Sequence, residues 1–464
     1  MTAVRALRFP RLKSPRPLAL LGAALAIVVA SQVVTFLQGS PAQRIASPAD
    51  RPTINAPVSP PEAPVPNAPD DLARIDHNIS AWTRNLAAND KDFLSASNLG
   101  LLYEARARLS GDVADYGRAN AAAERSLRIV PTQLDVLALH ARLAFATHDF
   151  TRALSEASSL DRTAPDQPAI LAIMGDAHLE LGDVDAAATI YGRVATLAPG
   201  PAITARLARL SFLRGDPADA VMQAEAARAA ALTEGIAGPS LSWYAYLAGT
   251  MQLAAGDPGA AATSFDKALD AWPQSFLALA GRARADAAVG DVDKAIDGYR
   301  AAIAVAPQPD ALAALGDLLA MRGDDHAAQQ QYDTVLAIAQ LQGSSGLVFN
   351  RQLVLFDVNH GRDVATALHL ADKELVERKD VYGYDADAWA LLANGRATDA
   401  DAAMAKALAL GTRDAMLLYH AGEIALAVGD SARARDLLTQ SLAITGALDP
   451  LSASKARASL QGLD

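Results

Sequence analysis

The sequence has 464 residues, of which 51% are hydrophobic but only 5% aromatic, because alanine supplies much of the apolar content. Alanine is the strongest helix former and its small side chain lets helices approach closely, so the composition favours an all-helical protein. The absence of cysteine excludes a disulfide framework and a cysteine zinc site. The formal charge of −11 argues against a nucleic-acid-binding protein.

The N-terminus combines a basic stretch with an apolar one. Residues 1–17 contain no acidic side chain, and residues 18–37 (LALLGAALAIVVASQVVTFL) contain no charged one. An apolar run of this length crosses a hydrocarbon core as a helix, and the basic flank predicts that residues 1–17 stay in the cytoplasm. The alternative is a signal peptide cleaved before Ser31, with Val28 and Ala30 at the permissive positions. Both interpretations export the rest of the chain.

Residues 38–70 are rich in proline, with serine, alanine and asparagine between the prolines. This composition cannot sustain a helix or a central strand and favours an extended, solvated chain. We expect this linker to hold a folded region away from the membrane.

The segment 71–91 carries an apolar stripe at steps of three and four residues, which predicts an amphipathic helix. Its position in front of the region described next indicates a cap on an open helical array. The stripe consists of Leu72, Ile75, Ile79, Trp82 and Leu86.

From residue 92 to residue 446 a Gly-Asp dipeptide or a close variant recurs at separations of 34, 33, 41, 34, 33, 38, 34 and 34 residues. A period of about 34 residues is typical of helix-turn-helix solenoids. The dipeptides are His148-Asp149, Gly182-Asp183, Gly215-Asp216, Gly256-Asp257, Gly290-Asp291, Gly323-Asp324, Gly361-Arg362, Gly395-Arg396 and Gly429-Asp430.

Other positions keep the same frame around each turn glycine. Gly175 precedes Gly182 by seven residues, and Ala187, Tyr191 and Pro199 follow it by five, nine and seventeen. Later copies repeat this order, as in Gly249, Gly256, Ala261, Phe265 and Pro273. In this pattern the sequence resembles the tetratricopeptide repeat family, membrane-anchored bacterial type.

The resemblance implies a right-handed, all-α solenoid of about ten helix-turn-helix repeats over residues 92–446, with residues 447–464 as a C-terminal cap. The residues give each position a mechanical reason. The turn glycine can take a positive φ and end the first helix, and the following aspartate can cap the second. The longer spacings after Gly215 and Gly323 predict a lengthened second helix or loop.

Two of the turns read Arg-Gly-Asp, at residues 214–216 and 322–324. Out of context this tripeptide suggests a cell-adhesion ligand. Here its glycine occupies the turn position of the repeat, and the residue before that glycine varies among copies. We therefore interpret both tripeptides as turns between helices.

No residue pattern indicates catalysis or a metal site. The eight histidines lie at different phases of the repeat, and no helix-spaced pair stands beside a carboxylate. The glycines follow the repeat rather than a phosphate-binding loop, and no serine lies in a Gly-x-Ser-x-Gly motif. We expect no enzymatic activity, no cofactor, no metal and no small-molecule substrate.

In the tetratricopeptide family the first helix of each repeat lines a concave groove that holds a protein or peptide segment. Arg142, Arg209 and Arg284 share one groove-facing phase and would bind carboxylates or phosphates there, with aromatic residues as apolar anchors. Alternatively, the arginines pair with neighbouring acidic residues and the aromatics pack between helices. The candidate groove residues are Arg142, Phe145, Arg209, Phe212, Trp243, Tyr246, Arg284, Arg351, Tyr382, Trp389 and Tyr419.

Together these features predict a non-enzymatic scaffold tethered to the inner membrane by one span, with most of the chain in the periplasm. Its solenoid would bind a protein segment and assist assembly or maturation of an envelope complex. One alternative is an accessory subunit of a membrane transport or biogenesis system that acts through the anchor. Another is a secreted soluble protein, released by cleavage of the signal peptide.

Overall fold

The computed structural model describes residues 71–344, 350–444 and 446–463. The predicted transmembrane segment 18–37 and the linker 38–70 lie outside these residues. Within these ranges the regular secondary structure is entirely helical. None of the described helices combines the length and the apolar character that a membrane-spanning helix needs.

Twenty-two α-helices follow one another in the described residues. The first eleven are α1 (Asp71–Ala88), α2 (Phe93–Ser110), α3 (Ala114–Ile129), α4 (Leu134–Ala146), α5 (Phe150–Thr163), α6 (Pro168–Glu180), α7 (Val184–Leu197), α8 (Pro201–Leu213), α9 (Pro217–Thr233), α10 (Gly238–Ala254) and α11 (Pro258–Ala271). The others are α12 (Phe276–Ala288), α13 (Val292–Val305), α14 (Pro309–Met321), α15 (Asp325–Ser344), α16 (Asn350–Asn359), α17 (Val364–Glu377), α18 (Val381–Ala393), α19 (Ala397–Ala407), α20 (Ala415–Ala427), α21 (Ser431–Ala443) and α22 (Pro450–Gln461).

Helices α2 to α21 form ten successive pairs, with α1 before the first pair and α22 after the last. Each helix packs on the next one in the chain, and the first helix of most pairs also packs on the first helix of the following pair. Such a pair cannot bury its apolar faces alone, so stability comes from stacking. The predicted all-helical solenoid is confirmed.

In the third to the seventh pairs and in the tenth, the turn has the geometry that a glycine followed by an aspartate predicts. At the third pair Gly182 adopts a φ of 90°, and the Asp183 carboxylate accepts a hydrogen bond of 3.2 Å from the Ala186 N–H. A cap of this kind stabilises a helix by about 1 kcal/mol. His148 takes the glycine position in the second pair with a φ of 63°, a conformation that is uncommon for a residue with a side chain.

Small residues allow the two helices of a pair to approach closely. A Cβ atom on Gly175 would lie 2.5 Å from Cε1 of Tyr191, and Tyr191 is completely buried. Ala187 is buried to the same degree at the crossing of α6 and α7. The small and aromatic positions of the repeat are therefore complementary, because the ring fills the space that the glycine leaves empty.

The two long spacings of the sequence correspond to long second helices. Helix α9 has 17 residues and α15 has 20, whereas α7, α11 and α13 have 14. The extra residues thus extend the second helix of the seventh pair. After the turn of the fourth pair they are divided between α9 and the next first helix, α10, which has 17 residues where α8 has 13.

The superhelix makes contact with itself. The loop after the eighth pair reaches the turn of the third, where Arg378 forms an ion pair with Glu180, 198 residues earlier. One pair further on, the hydroxyl of Thr412 donates to the carbonyl oxygen of Leu213. We call these contacts the cross-turn interface. It consists of residues 180–182, 213–215, 258 and 284–288 on the first turn, and of loops 378–380, 411–412 and 446–447 on the second.

The cross-turn interface depends on glycine and continues into the core. A Cβ atom on Gly182 would collide with the carbonyl oxygen of Lys379, and one on Gly215 would collide with that of Gly411. Behind these backbone contacts one apolar cluster contains buried residues of both turns, including Leu213 and Val381. Consecutive turns of the superhelix are therefore packed against each other.

Candidate protein-binding surface

The structure places the candidate groove residues in three different environments. Four are buried, namely Phe145, Phe212, Arg351 and Tyr419. Six are partly buried, namely Arg142, Arg209, Trp243, Tyr246, Tyr382 and Trp389. Arg284 is exposed.

Arg142 on α4 is held by a carboxylate of the preceding pair. Its Nε and Nη2 atoms donate to Oε1 and Oε2 of Glu104 at 3.0 and 2.9 Å, a bidentate pair. Burial raises the pKa of Glu104, but the charge and hydrogen bonds of Arg142 outweigh burial and leave that pKa below its usual value. The guanidinium of Arg142 is therefore already occupied by an internal carboxylate.

Arg209 on α8 belongs to a network that joins the two superhelical turns. Glu180 binds both Arg209 and Arg378, and Arg351 binds Glu374 and Asp380 at 2.9 Å each. Arg378 also binds Asp380 at 3.2 Å. We call this network the cross-turn ionic cluster. Its members are Glu180, Arg209, Arg351, Glu374, Arg378 and Asp380.

The cross-turn ionic cluster contains three acidic and three basic side chains, of which Glu180, Arg351 and Arg378 are buried and the others partly buried. The guanidinium carbon of Arg378 lies 4.8 Å from the ring centre of Phe150, a cation–π distance. Burial, followed by the charges of Arg378 and Arg351, lowers the pKa of the neighbouring His148 to about 3. His148 is therefore neutral at physiological pH and adds no charge to the balanced cluster.

Several aromatic candidates pack against other side chains of the solenoid. The Trp389 ring stacks on His420 at 4.1 Å between centres, and its Nε1 donates to Oδ1 of Asn359 at 2.8 Å. The ring centres of Tyr419 and Trp389 lie 5.8 Å apart. Burial raises the pKa of Tyr382 far above its usual value. These rings stabilise contacts between neighbouring first helices.

A second buried ion pair joins the third and fourth pairs and does not follow from the repeat pattern. Asp176 on α6 accepts hydrogen bonds of 2.9 Å from Nε and Nη2 of Arg206 on α8, and a bond of 2.7 Å from the Tyr191 hydroxyl. Arg206 is one of the few charged residues on an otherwise apolar helix. This signal was available in the sequence, but it does not identify the partner, which belongs to the preceding pair.

One of the candidate groove residues is an accessible cation close to aromatic residues. Arg284 on α12 donates from Nη2 to the carbonyl oxygen of Ala447 at 2.8 Å, and among the described residues no carboxylate lies within ion-pair distance of it, although its charge acts on Asp414. Its charge also reaches Tyr246 on α10, where it opposes the larger effect of burial, which raises the tyrosine pKa. Trp243 lies one helical turn before Tyr246 on α10. We call Trp243, Tyr246 and Arg284 the Arg284 patch.

Comparison with known families agrees with this architecture. A family model described as a tetratricopeptide repeat matches residues 138–202, 174–239 and 246–303, which lie between α4 and α13. Residues 138–239 and 246–303 of this chain contain tetratricopeptide repeats. No catalytic family is identified alongside them, and no protein of curated function matches the sequence.

Solved structures similar to these tetratricopeptide repeats come from several organisms. A tetratricopeptide repeat protein of Parabacteroides merdae is 19% identical with a TM-score of 0.32, over 56% of this chain and 97% of its own. A thermophilic protein of Thermus thermophilus with the same repeat is 17% identical with a TM-score of 0.36, over 42% and 98%. Yeast Tom70 is 14% identical with a TM-score of 0.37, over 84% and 93%.

The described residues also give no indication of a metal centre. Across residues 71–344, 350–444 and 446–463, no three histidine or acidic side chains lie together in a way that would hold an ion. The acidic and basic side chains of the described residues form ion pairs or cap helices instead.

Proposed function

We propose that this protein is a non-enzymatic scaffold whose tetratricopeptide repeats bind a segment of another protein at the Arg284 patch. The observation that carries the proposal is the difference among the three arginines that share one phase of the repeat. Glu104 occupies Arg142 and Glu180 occupies Arg209, whereas Arg284 is exposed and contacts a backbone carbonyl. A partner can therefore bind Arg284 without displacing an internal carboxylate.

The chemistry of the Arg284 patch suits an acidic segment with an apolar side chain. A carboxylate would accept charge-assisted hydrogen bonds from the guanidinium nitrogens of Arg284 that do not contact Ala447. Trp243 and Tyr246 are partly buried, so they offer rigid aromatic contacts at a low cost in side-chain entropy. Acidic residues elsewhere on the solenoid would repel such a segment and confine it to the patch.

We further propose that residues 18–37 anchor the scaffold in the inner membrane and that the repeats act in the periplasm on an envelope complex. The support for this comes from the uncharged run and its basic flank. If a reporter enzyme that works only outside the cytoplasm is fused after residue 70, we expect it to be active. Activity restricted to a cytoplasm-specific reporter would contradict this orientation.

Replacing residues 18–37 with a cleavable signal sequence separates groove binding from a function of the anchor. A scaffold that acts through its repeats keeps its partner when it is released from the membrane. Loss of function with intact partner binding would favour the accessory-subunit alternative, in which the transmembrane segment itself makes the essential contact.

Binding at the Arg284 patch is tested by crosslinking in intact cells and identification of the captured protein. Arg284→Glu is expected to reduce capture at least about tenfold, since it replaces an attractive charge by a repulsive one at the contact. Arg322→Glu is the matched control, because Arg322 is also exposed but lies on a turn at the edge of α14 and binds Asp293. Equal capture by both variants would remove Arg284 from the proposal.

A further inference from the structure

The cross-turn ionic cluster divides into two sets that are each electrically neutral. Glu180 and Arg209 lie on the first turn and bind each other. The second turn contributes Arg351, Glu374, Arg378 and Asp380, two of each sign, which are also bound to one another. The ion pair between Arg378 and Glu180 joins the two sets.

This division makes the cross-turn interface separable. Breaking a buried ion pair is strongly unfavourable when it leaves one charge buried without a partner. Here Glu180 would keep Arg209, and Arg378 would keep Glu374 and Asp380, if the two turns moved apart. Separation therefore exposes paired side chains to water and leaves no isolated charge in the interior.

The closed state also contains imperfect hydrogen bonding. Within the described residues Nε and Nη1 of Arg351 and Nε of Arg378 are buried and have no hydrogen-bond acceptor. Water would satisfy these donors once the turns separate. The apolar cluster shared by both turns acts in the opposite direction and favours closure.

We propose that the cross-turn ionic cluster is a clasp, and that the superhelix alternates between the closed form described here and an open form in which residues 180–215 separate from residues 378–412. The closed form predominates at rest because it buries the shared apolar cluster and forms the ion pair between Arg378 and Glu180. In the open form Arg209 and Tyr382, which lie at the interface, become accessible from solvent. The proposal concerns the conformation of this chain alone and does not depend on a partner for the Arg284 patch.

The opening can be measured directly because the chain has no cysteine. Thr196→Cys on α7 and Ala402→Cys on α19 place two spin labels on exposed positions of the two turns. Pulsed electron paramagnetic resonance then gives the distribution of distances between the labels in the full chain. The doubly labelled protein is expected to show one dominant, narrow distance, that of the closed form.

Arg378→Gln removes the ion pair between the turns and leaves the Glu180–Arg209 pair intact. We expect the label distances to shift to longer values and to spread, with unchanged helix content by circular dichroism. Arg322→Gln is the control, since it breaks the exposed pair with Asp293 away from the cross-turn interface. Its distances are expected to match those of the parent.

A second, independent pair of variants uses the two Arg-Gly-Asp turns. Gly215 and Gly323 have φ values of 80° and 82°, so alanine is equally strained at both positions. A Cβ atom on Gly215 would collide with Gly411, whereas one on Gly323 meets no atom within 4 Å. Gly215→Ala is expected to shift the label distances to longer values, and Gly323→Ala is expected to leave them unchanged.

The clasp is refuted if Arg378→Gln and Gly215→Ala, both folded by circular dichroism, give the parent distribution. In that case the apolar cluster alone fixes the turns together. A broad distribution in the parent protein would also refute it, because the closed form would not be the resting state. If Arg378→Gln loses helix content, the proposal is tested by the label distances of Gly215→Ala and Gly323→Ala alone.

Discussion

Asp176 shows how burial determines the contribution of an ion pair to the stability of this solenoid. Its side chain is 2% exposed and accepts hydrogen bonds from Arg206 and Tyr191. Asp185, on the next helix, pairs with Arg214 at a similar distance but is 96% exposed. Solvent weakens the attraction between Asp185 and Arg214. At the buried Asp176–Arg206 ion pair, no water replaces a lost partner.

Asp176→Ala is therefore expected to lower the free energy of unfolding by about 3–5 kcal/mol, because Arg206 would stay buried without its carboxylate. Asp185→Ala should lower it by less than about 1 kcal/mol. Urea unfolding followed by circular dichroism measures both values. Similar losses for the two variants would show that the Asp176 site becomes hydrated at little cost.

Asp387 predicts a dependence of stability on pH. Burial, followed by the nearby charge of Asp372, raises its pKa to about 6, and one of its oxygens is buried without a hydrogen-bond partner. Because the folded state prefers the protonated form, stability is highest below the unfolded pKa near 4 and falls as the pH rises through about 6.

Asp387→Asn removes this titration while it keeps the shape of the side chain. The variant is expected to melt at a higher temperature than the parent at pH 7.5, and the difference should shrink at pH 4.5. Thermal unfolding at the two pH values checks this. A difference that does not change with pH would mean that Asp387 stays ionised in the folded protein.

At the scale of single residues, the sequence predicted the position of a side chain in the repeat better than it predicted the ion-pair partner of that side chain. The frame of the repeat located Arg142, Arg209 and Arg284 at one phase, and the structure gives each of them a different environment. Arg378, which meets Arg209 at the shared Glu180, is far away in sequence and stands where other copies of the repeat have a proline, seventeen residues after the turn glycine. Such a contact depends on the pitch of the superhelix, which local patterns do not encode.

At the scale of the helices, glycine has two opposite effects. Gly175 is in the interior of α6 and faces the buried ring of Tyr191, so its missing side chain is needed. Gly192 is in the interior of α7 and is exposed, and a Cβ atom there would meet no other atom within 4 Å. In the second case glycine only weakens the helix.

Gly192→Ala should accordingly raise the free energy of unfolding by about 0.5–1 kcal/mol. Gly175→Ala should lower it by about 1–3 kcal/mol, because overpacking against Tyr191 exceeds the gain in helix propensity. Chemical denaturation of the two variants gives both values. A stabilising Gly175→Ala would show that the ring of Tyr191 can move aside.

The number and order of the helices were the most predictable features of the structure. The spacing of the turn dipeptides and the small, aromatic and proline positions indicated about ten helix-turn-helix units, and ten pairs are present in the described residues. These signals are local, since each turn is specified by two or three adjacent residues. The lengthening of the second helices α9 and α15 was predicted as well, because the extra residues fall next to them, whereas the lengthening of the first helix α10 was not predicted.

At the scale of the whole molecule, the cross-turn interface departs from the behaviour expected of a linear array. In most solenoids each repeat contacts only its neighbours, so removal of one end leaves distant repeats unchanged. Here the third and fourth pairs share an apolar cluster with the ninth and tenth. Stability is therefore coupled across about 200 residues of sequence.

Ending the chain after Glu377 removes helices α18 to α22 and the loops that reach the first turn. We expect faster amide hydrogen exchange in α6 and α8 of the truncated protein, and unchanged exchange in α2 and α3, which lie outside the interface. Mass spectrometry of the exchanged protein resolves these helices. Unchanged exchange in α6 and α8 would indicate that repeats of the first turn are stable on their own.

The contact between turns also bears on how such a protein can change in length during evolution. Arrays of repeats commonly grow by duplication of one unit, which a linear solenoid accepts anywhere. In this chain a unit added between the fourth and eighth pairs would move Arg378 away from Glu180 and Thr412 away from Leu213 in one event. We therefore expect duplication to be tolerated at the ends of the array and selected against in its middle, so that relatives with this interface keep the same number of pairs between the residues that meet.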